Sequence, residues 1–149
     1  MKNIANQLVE IIENWKISVQ NAPINWENKS LPERWSPKEI LGHLTDSALV
    51  NLERLIRCTY ESGSKLVYDQ EQWVKVQQYQ QADLSNLLGV WTALNNKIST
   101  VLLNYPVQAR QNSCDIGKTE VDLRSVEWLA GDYLAHLQHH LQQINDCIQ

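Results

Sequence analysis

The chain has 149 residues, of which 43% are hydrophobic and 20% are charged, and its formal net charge at pH 7 is −4. This length and composition are typical of one globular domain that spans residues 1–149. An acidic chain without a cluster of Lys and Arg lacks the concentrated positive charge that binds phosphate backbones or anionic lipids. We therefore expect neither nucleic acid nor a membrane surface as a partner.

The three cysteines are Cys58, Cys114 and Cys147, and they lie far apart with no Cys-x-x-Cys pair. This spacing disfavours both a disulfide framework and a structural zinc site made of cysteines. Polar residues interrupt the N-terminal stretch, so it does not resemble a secretory signal, and no apolar run approaches the length of a bilayer. We expect a cytoplasmic protein with reduced thiols, Cys58 buried in the core and Cys114 a candidate for exposure.

Two long helical segments are predicted in the first half of the chain. The first runs from about Lys2 to Gln20 and has apolar residues at helical spacing on one face. The second begins at Ser36-Pro37-Lys38-Glu39, where Ser is the N-cap, Pro the first helical residue and Glu the partner in a capping box. It extends to about Glu61. Its apolar stripe comprises Ile40, Leu44, Ala48, Leu52, Leu55 and Ile56.

The second half of the chain contains two more long helical segments. One begins near Asp83 and ends before Tyr105, and the other begins near Ser125 and runs to the C-terminus. The connection 64–81 contains a candidate short helix, from about Gln70 to Gln78, and the connection 107–124 a candidate hairpin. Four helices of about 20 residues with two long connections predict an all-α fold, a four-helix bundle with crossovers.

Three of the four histidines lie on apolar stripes of two predicted helices. His136 and His140 are one helical turn apart on the last helix, and His43 lies about two turns into the second. Two imidazoles at this spacing can point at one ion, and His43 reaches a similar height if the two helices are antiparallel. His139 is rotated about 100° from His140, toward the edge of the stripe. The alternative is that these are core histidines with ordinary hydrogen-bond partners, because such a spacing also arises by chance.

Two stretches resemble the signatures of the DinB-like superfamily, which includes the YfiT-type proteins. Residues 35–47, WSPKEILGHLTDS, resemble the second-helix signature, and residues 133–144, YLAHLQHHLQQI, resemble the last-helix signature. Their order and separation also match, so the resemblance covers essentially the whole chain. It implies a bundle with up-down-down-up connectivity and a divalent metal ion, zinc or nickel. Carried over to this sequence, the implied ligands are His43, His136 and His140.

The resemblance leaves the reaction open. Some members act as S-transferases or isomerases with low-molecular-weight thiols such as bacillithiol or mycothiol, and others are described as metal-dependent hydrolases. Three histidines leave coordination positions open, as in catalytic sites. The sequence shows no convincing carboxylate base, which favours transfer of a small thiol to an electrophile over hydrolysis. A non-catalytic metal-binding or sensor domain is the third alternative. We identify no catalytic residue from the sequence.

Other residues near these motifs have less certain roles. Asp46, three positions after His43, either orients that histidine or is a solvated helix acid, and Gln143 stands in the same relation to His140. Tyr68, Trp73 and Tyr79 either line a substrate pocket or, as we slightly favour, pack on the outside of the bundle. The six tryptophans also suggest a homodimer, because large apolar faces are rarely left exposed on monomers.

Overall fold

The computed structural model describes residues 1–147. Within this range the helices and strands occur in the order α1 (Lys2–Val19), α2 (Pro37–Arg57), β1 (Ser64–Lys65), α3 (Gln70–Gln77), α4 (Leu84–Leu103), β2 (Ser113–Asp115), β3 (Leu123–Ser125) and α5 (Val126–Asn145). Short 3₁₀-helices cover Tyr79–Gln81 and Val107–Ala109. The predicted long helices and the short helix after Asp69 are therefore present, with most boundaries shifted by a few residues at most. The last helix was expected to run to the C-terminus but ends at Asn145, and residues 148–149 lie outside the described range.

Polar N-cap residues determine where the long helices after α1 begin. At α2 the Ser36 hydroxyl accepts from the Glu39 amide at 3.2 Å, and the Glu39 carboxylate accepts from the Ser36 amide at 2.8 Å. The side chains of Asp83 and Ser125 cap α4 and α5 in the same way, each accepting an amide of the first turn. These bonds satisfy donors that the helix itself leaves unpaired.

Hydrogen bonds between helices define the direction of α1 relative to α4 and α5. The Trp15 indole donates to the Asn145 side chain at 3.0 Å, and both residues lie near the C-terminal ends of their helices, so α1 and α5 are parallel. Ser99, late in α4, donates to the carbonyl of Ala5, early in α1, at 3.2 Å. The helices α1 and α4 are therefore antiparallel.

The directions of α2 and α4 complete the topology. The Tyr105 hydroxyl, just after α4, donates to the Leu55 carbonyl near the end of α2 at 2.8 Å, so these two helices are parallel. Each of α1 and α2 packs against both α4 and α5. The expected bundle with up-down-down-up connectivity is therefore confirmed.

The two long connections meet in a small sheet at one end of the bundle. Strands β2 and β3 form the antiparallel hairpin that the sequence predicted, and the unpredicted β1 pairs with β2 in parallel register. Cys114 pairs with Ser64 there and is fully buried, so the expectation that it is exposed is wrong. The sheet covers this thiol together with Cys58, which is buried as expected.

One residue that the sequence analysis assigned to the apolar stripe of α2 is exposed. Ile56 was assigned to the apolar stripe of this helix, but 42% of its surface is exposed. A helix has 3.6 residues per turn, so each four-residue step from Ile40 gains about 40°, and the line has rotated away from the buried side, where Leu55 lies, by the time it reaches Ile56.

The tryptophans pack largely within the fold. Trp15 forms edge-to-face pairs with Trp91 and Trp26, at ring-centroid distances of 5.2 and 6.4 Å. All six lie within residues 1–147, and of these six only Trp128 is exposed, by 42%. The tryptophans therefore give the expected homodimer little support, and the homodimer stays a prediction. In the part of the chain that the structure describes, no helix combines the length and apolarity needed to span a membrane.

Candidate metal centre

His43 is held in the interior by the way α2 begins. The capping box starts the helix at Pro37, which brings position 43 round to the face that packs against α5. The ammonium of Lys38 donates to Glu27 at 2.7 Å and to the Gln80 carbonyl at 3.2 Å, which ties the first turn to two loops. As a result His43 is only 1% exposed.

The structure brings His43 together with His136 and His140 of α5. One nitrogen from each ring lies within 4.8 Å of the other two. The Nε2 atoms of His43 and His136 are 3.1 Å apart. The centroid of the His140 ring lies 4.8 Å from that of the His43 ring and 4.5 Å from that of the His136 ring. The helices α2 and α5 are antiparallel, as the directions described above give, and this is the arrangement that the sequence analysis supposed.

The surroundings keep these imidazoles neutral at pH 7. Burial, with a smaller contribution from the charges of the other two rings, lowers the pKa of His43 from 6.5 to about 3. Burial and the neighbouring histidines lower the pKa of His136 to about 4. The pKa of His140 is lowered chiefly by burial, against the hydrogen bond that its Nδ1 donates to the side-chain oxygen of Gln143, which raises it. A neutral imidazole offers the lone pair that a metal ion binds.

His139 does not belong to this group. It is exposed on α5, and its Nε2 lies 3.2 Å from the side-chain nitrogen of Gln143. The Gln143 side-chain oxygen lies 2.8 Å from Nδ1 of His140. Gln143 therefore contacts His140, the candidate metal ligand with which the sequence analysis paired it. Rotation about the helix axis thus separates His139 from His136 and His140.

Comparison with known proteins identifies the family. Residues 18–144 match the sequence model of the DinB superfamily. The chain belongs to the DinB superfamily. Among solved structures, it is similar to YfiT from Bacillus subtilis, with a TM-score of 0.85 and 20% sequence identity over 98% of this chain and 85% of the YfiT chain. YfiT is described as a probable metal-dependent hydrolase with an unusual four-helix bundle topology. At this identity the similarity shows a shared fold. A comparison with curated proteins gave no match.

Asp46 of this DinB-superfamily chain is buried beside the histidines but is bonded elsewhere. Its Oδ1 accepts from the Tyr79 hydroxyl at 2.7 Å and from the Gln77 amide at 2.6 Å. Its Oδ2 and the Nδ1 of His43 are both buried without a hydrogen-bond partner among the described residues. Burial raises the pKa of Asp46, and the two hydrogen bonds oppose that shift. Asp46 therefore neither orients His43 through a hydrogen bond nor lies in solvent, which were the two alternatives from the sequence. It joins α3 and the turn after it to α2.

Trp35 is a neighbour of the site that the sequence analysis did not single out. It lies just before α2, and its ring is 4.9 Å from that of His43, tilted by 37°. The motif around it was part of the family signature, but its sequence position alone does not reveal this contact. Trp35 therefore fixes one side of the His43 imidazole.

An open cleft borders the candidate centre at His140. It has a volume of about 380 Å³ and lies between the α1–α2 loop, α3 and the end of α5. Polar and charged residues dominate its lining: Ser30, Glu33, Arg34, Trp35, Ile40, Gln70, Glu71, His140, Gln143 and Cys147. A second cavity of about 380 Å³ continues along α3 and shares Glu33, Trp35 and Glu71 with the first.

The aromatic residues expected in the long crossover do not line this cleft. Tyr79 is buried over Gly42 of α2, and Tyr68 and Trp73 pack edge to face at 5.3 Å. Tyr79 therefore belongs to the core and not to the outside of the bundle, where packing was expected. The cleft residues of α3, Gln70 and Glu71, have no distinguishing pattern in the sequence, because polar residues are the usual occupants of an exposed helix start.

Proposed function

We propose that this protein binds one divalent metal ion, zinc or nickel, through His43, His136 and His140, and that it is an S-transferase for a small thiol. The observation that carries the proposal is the convergence of one nitrogen from each histidine. In a tetrahedral zinc site with bonds of about 2.0–2.1 Å, ligand nitrogens lie roughly 3.3 Å apart. The separation of 3.1 Å between the Nε2 atoms of His43 and His136 fits this requirement.

The donor set also fits such an ion. Neutral imidazole nitrogens suit zinc and nickel, and burial with mutual repulsion keeps all three rings neutral. A direct hydrogen bond between His43 and His136 is the metal-free alternative. It accounts for two of the rings but gives no reason for His140 to face the same point.

The absence of a fourth protein ligand supports an enzyme over a sensor with a closed site. Within residues 1–147 no carboxylate or thiol joins the three histidines. The cleft reaches His140 from the solvent, so a substrate can approach the remaining coordination positions. Open positions of this kind are characteristic of catalytic metal sites.

A divalent ion held here would supply a Lewis acid that lowers the pKa of a thiol or a water molecule bound to it. In S-transfer the thiol sulfur forms a bond to an electrophilic carbon, the bond from that carbon to its leaving group breaks, and the thiol proton passes to solvent. The protein itself orients the substrate and shields the metal ligands from solvent. Trp35 shields His43, and the charged side chains of Glu33, Arg34 and Glu71 in the cleft are placed to hold a polar substrate.

S-transfer is preferred because it needs no general base. Asp46 is the buried acid nearest to His43 along α2, but its Oδ1 is engaged by Tyr79 and Gln77, and no hydrogen bond joins its Oδ2 to the His43 ring. A second candidate is metal-dependent hydrolysis. It is favoured by the description of YfiT and by Glu33 and Glu71, two carboxylates in the cleft that are able to accept a proton from water.

Activity measurements separate the two reactions. Protein loaded with zinc or nickel is incubated with monochlorobimane and a panel of thiols that includes bacillithiol, mycothiol, glutathione and cysteine, and in parallel with nitrophenyl esters. We expect thiol conjugation that requires the metal and is lost in His43→Ala, while His139→Ala conjugates like wild type. Conjugation no faster than with metal-free protein contradicts the transferase proposal. Metal-dependent ester cleavage in its place supports the hydrolase.

A further inference from the structure

Two buried polar atoms beside the candidate centre have no hydrogen-bond partner among residues 1–147. They are the Nδ1 atom of His43 and the Oδ2 atom of Asp46. The two residues are 1% and 3% exposed, so bulk solvent does not reach either side chain. Burying a polar group without a hydrogen bond costs free energy, and such groups are few in folded proteins. A partner common to both atoms would remove both costs.

The geometry of α2 brings these two side chains together. Asp46 follows His43 by three positions, and side chains at this spacing are neighbours on a helix surface, with about 5–6 Å between their Cβ atoms. Helical side chains lean toward the N-terminus, so the carboxyl group of Asp46 extends over the turn that carries His43. Tyr79 and Gln77 both donate to its Oδ1, which fixes the group and leaves Oδ2 as its free acceptor.

We propose that one buried water molecule joins Nδ1 of His43 to Oδ2 of Asp46, and that Asp46 thereby positions His43 for the metal ion. The proposal rests on the metal centre proposed above. A water molecule suits this place because it accepts from Nδ1–H and donates to the carboxyl oxygen, and buried waters typically bond two to four polar groups. A histidine that binds metal through one ring nitrogen almost always donates from the other, to a carboxylate, a carbonyl or a water. Asp46 is therefore a positioning residue, which acts through His43.

This link determines which nitrogen of His43 carries the proton. With the proton on Nδ1, the Nε2 atom keeps the lone pair that a metal ion binds. The same Nε2 lies 3.1 Å from Nε2 of His136. One of these two nitrogens must donate when both rings are neutral, so in the metal-free protein the donor is His136. His136 must then change its tautomer to bind the ion, whereas His43 is already in the required one.

Zinc affinity tests the role of Asp46. Metal-free wild type and Asp46→Asn are titrated with zinc against a chromophoric chelator. Asparagine keeps an oxygen for Tyr79 and Gln77 but replaces the carboxyl oxygen that accepts from the water, so we expect about tenfold weaker binding. Tyr79→Phe is the matched control. It removes one bond to the other oxygen of Asp46, which Gln77 still holds, and it should bind zinc like wild type. Both substitutions nearly conserve volume, and circular dichroism verifies that the variants fold.

The tautomer of His43 provides a second readout, which a merely structural role of Asp46 would not change. Nitrogen chemical shifts of the imidazole rings in metal-free protein, measured by NMR, should show His43 protonated on Nδ1 in wild type and in Tyr79→Phe. In Asp46→Asn the proton should be distributed over both nitrogens. The proposal is overturned if His43 carries its proton on Nε2 in wild type, or if Asp46→Asn changes neither the tautomer nor the zinc affinity. It is also overturned if Tyr79→Phe weakens zinc binding as much as Asp46→Asn does.

Failure of the metal centre is distinguishable from failure of this link. A wild-type protein that binds no zinc contradicts the proposed function, and the link to Asp46 is then decided by the tautomer of His43, which is measured without metal. Zinc bound equally tightly by wild type and Asp46→Asn contradicts the positioning role of Asp46 and leaves the three-histidine centre standing.

Discussion

The Nε2 atom of His43 lies 3.1 Å from the Nε2 atom of His136, although 93 positions separate the two residues in the chain. The antiparallel packing of α2 and α5 produces this contact, and the helical turn between His136 and His140 adds the third ring. One buried and two half-buried imidazoles at one point are costly to hold without a shared partner, because each must give up water. This arrangement is the physical basis of the proposed metal centre.

Gly42→Ala should destabilise the fold. A methyl group at position 42 would overlap the ring of Tyr79, which must then move and weaken its hydrogen bond to Asp46. We expect the free energy of unfolding in urea to fall by about 2–4 kcal/mol. Gly89→Ala is the control, because its new methyl group meets open space in the middle of α4. It should be neutral or stabilising by up to ~1 kcal/mol, and equal losses in the two variants would show that Tyr79 does not pack as described.

Trp35→Ala should weaken metal binding without removing any ligand. The indole packs 4.9 Å from the His43 ring, and its loss frees that imidazole to rotate. Groups that hold a ligand in place typically change metal affinity by about 10–100-fold, and we expect about tenfold for this variant. Titration of zinc against a chromophoric chelator measures the effect. Trp128→Ala, at the exposed tryptophan on α5, should bind like wild type. An unchanged zinc affinity in Trp35→Ala would show that Trp35 does not position His43.

The stability of the protein should decline with rising pH above about 9, in part through Cys58. Burial, then the neighbouring Cys114, raises the pKa of the Cys58 thiol from 9.0 to about 11. Between these values the unfolded chain loses the proton while the folded protein keeps it, so the free energy of unfolding falls as pH rises. One such group contributes a slope of at most ~1.4 kcal/mol per pH unit.

Cys58→Ala isolates this contribution. The variant is less stable at every pH because of the cavity it leaves, but its slope between pH 9 and 10.5 should be shallower than that of wild type. The remaining slope includes Tyr105, whose pKa burial raises to about 12 in both proteins. Urea unfolding at several pH values gives the comparison, and parallel curves would mean that Cys58 ionises equally in the folded and unfolded states.

Local sequence signals predicted the elements that carry the candidate site. The capping box at Ser36 and Glu39 determines the start of α2 and therefore the face on which His43 lies. The spacing of His136 and His140 needs only the regular turn of one helix. Such features are properties of a few neighbouring residues, which is why the sequence alone could place them.

Features made by distant parts of the chain were not predictable in this way. Strand β1 exists because Ser64 and Lys65 pair with residues about 50 positions away, and this pairing buries Cys114. The contact of Trp35 with His43 depends on how the α1–α2 loop enters the helix. Ile56 follows the apolar pattern of α2, but the bundle provides no partner on its side. Tertiary packing, which no local pattern records, decides each of these cases.

The central claim is that His43, His136 and His140 hold one metal ion, and the number of ions bound per chain tests it most directly. Metal-free wild type, His43→Ala, His136→Ala, His140→Ala and His139→Ala are loaded with zinc, desalted and analysed by mass spectrometry for metal. We expect about one ion per chain in wild type and in His139→Ala, and close to none in the other three variants, because two imidazoles and water make a much weaker site. Wild type without stoichiometric metal, or His139→Ala as depleted as His136→Ala, would contradict the account.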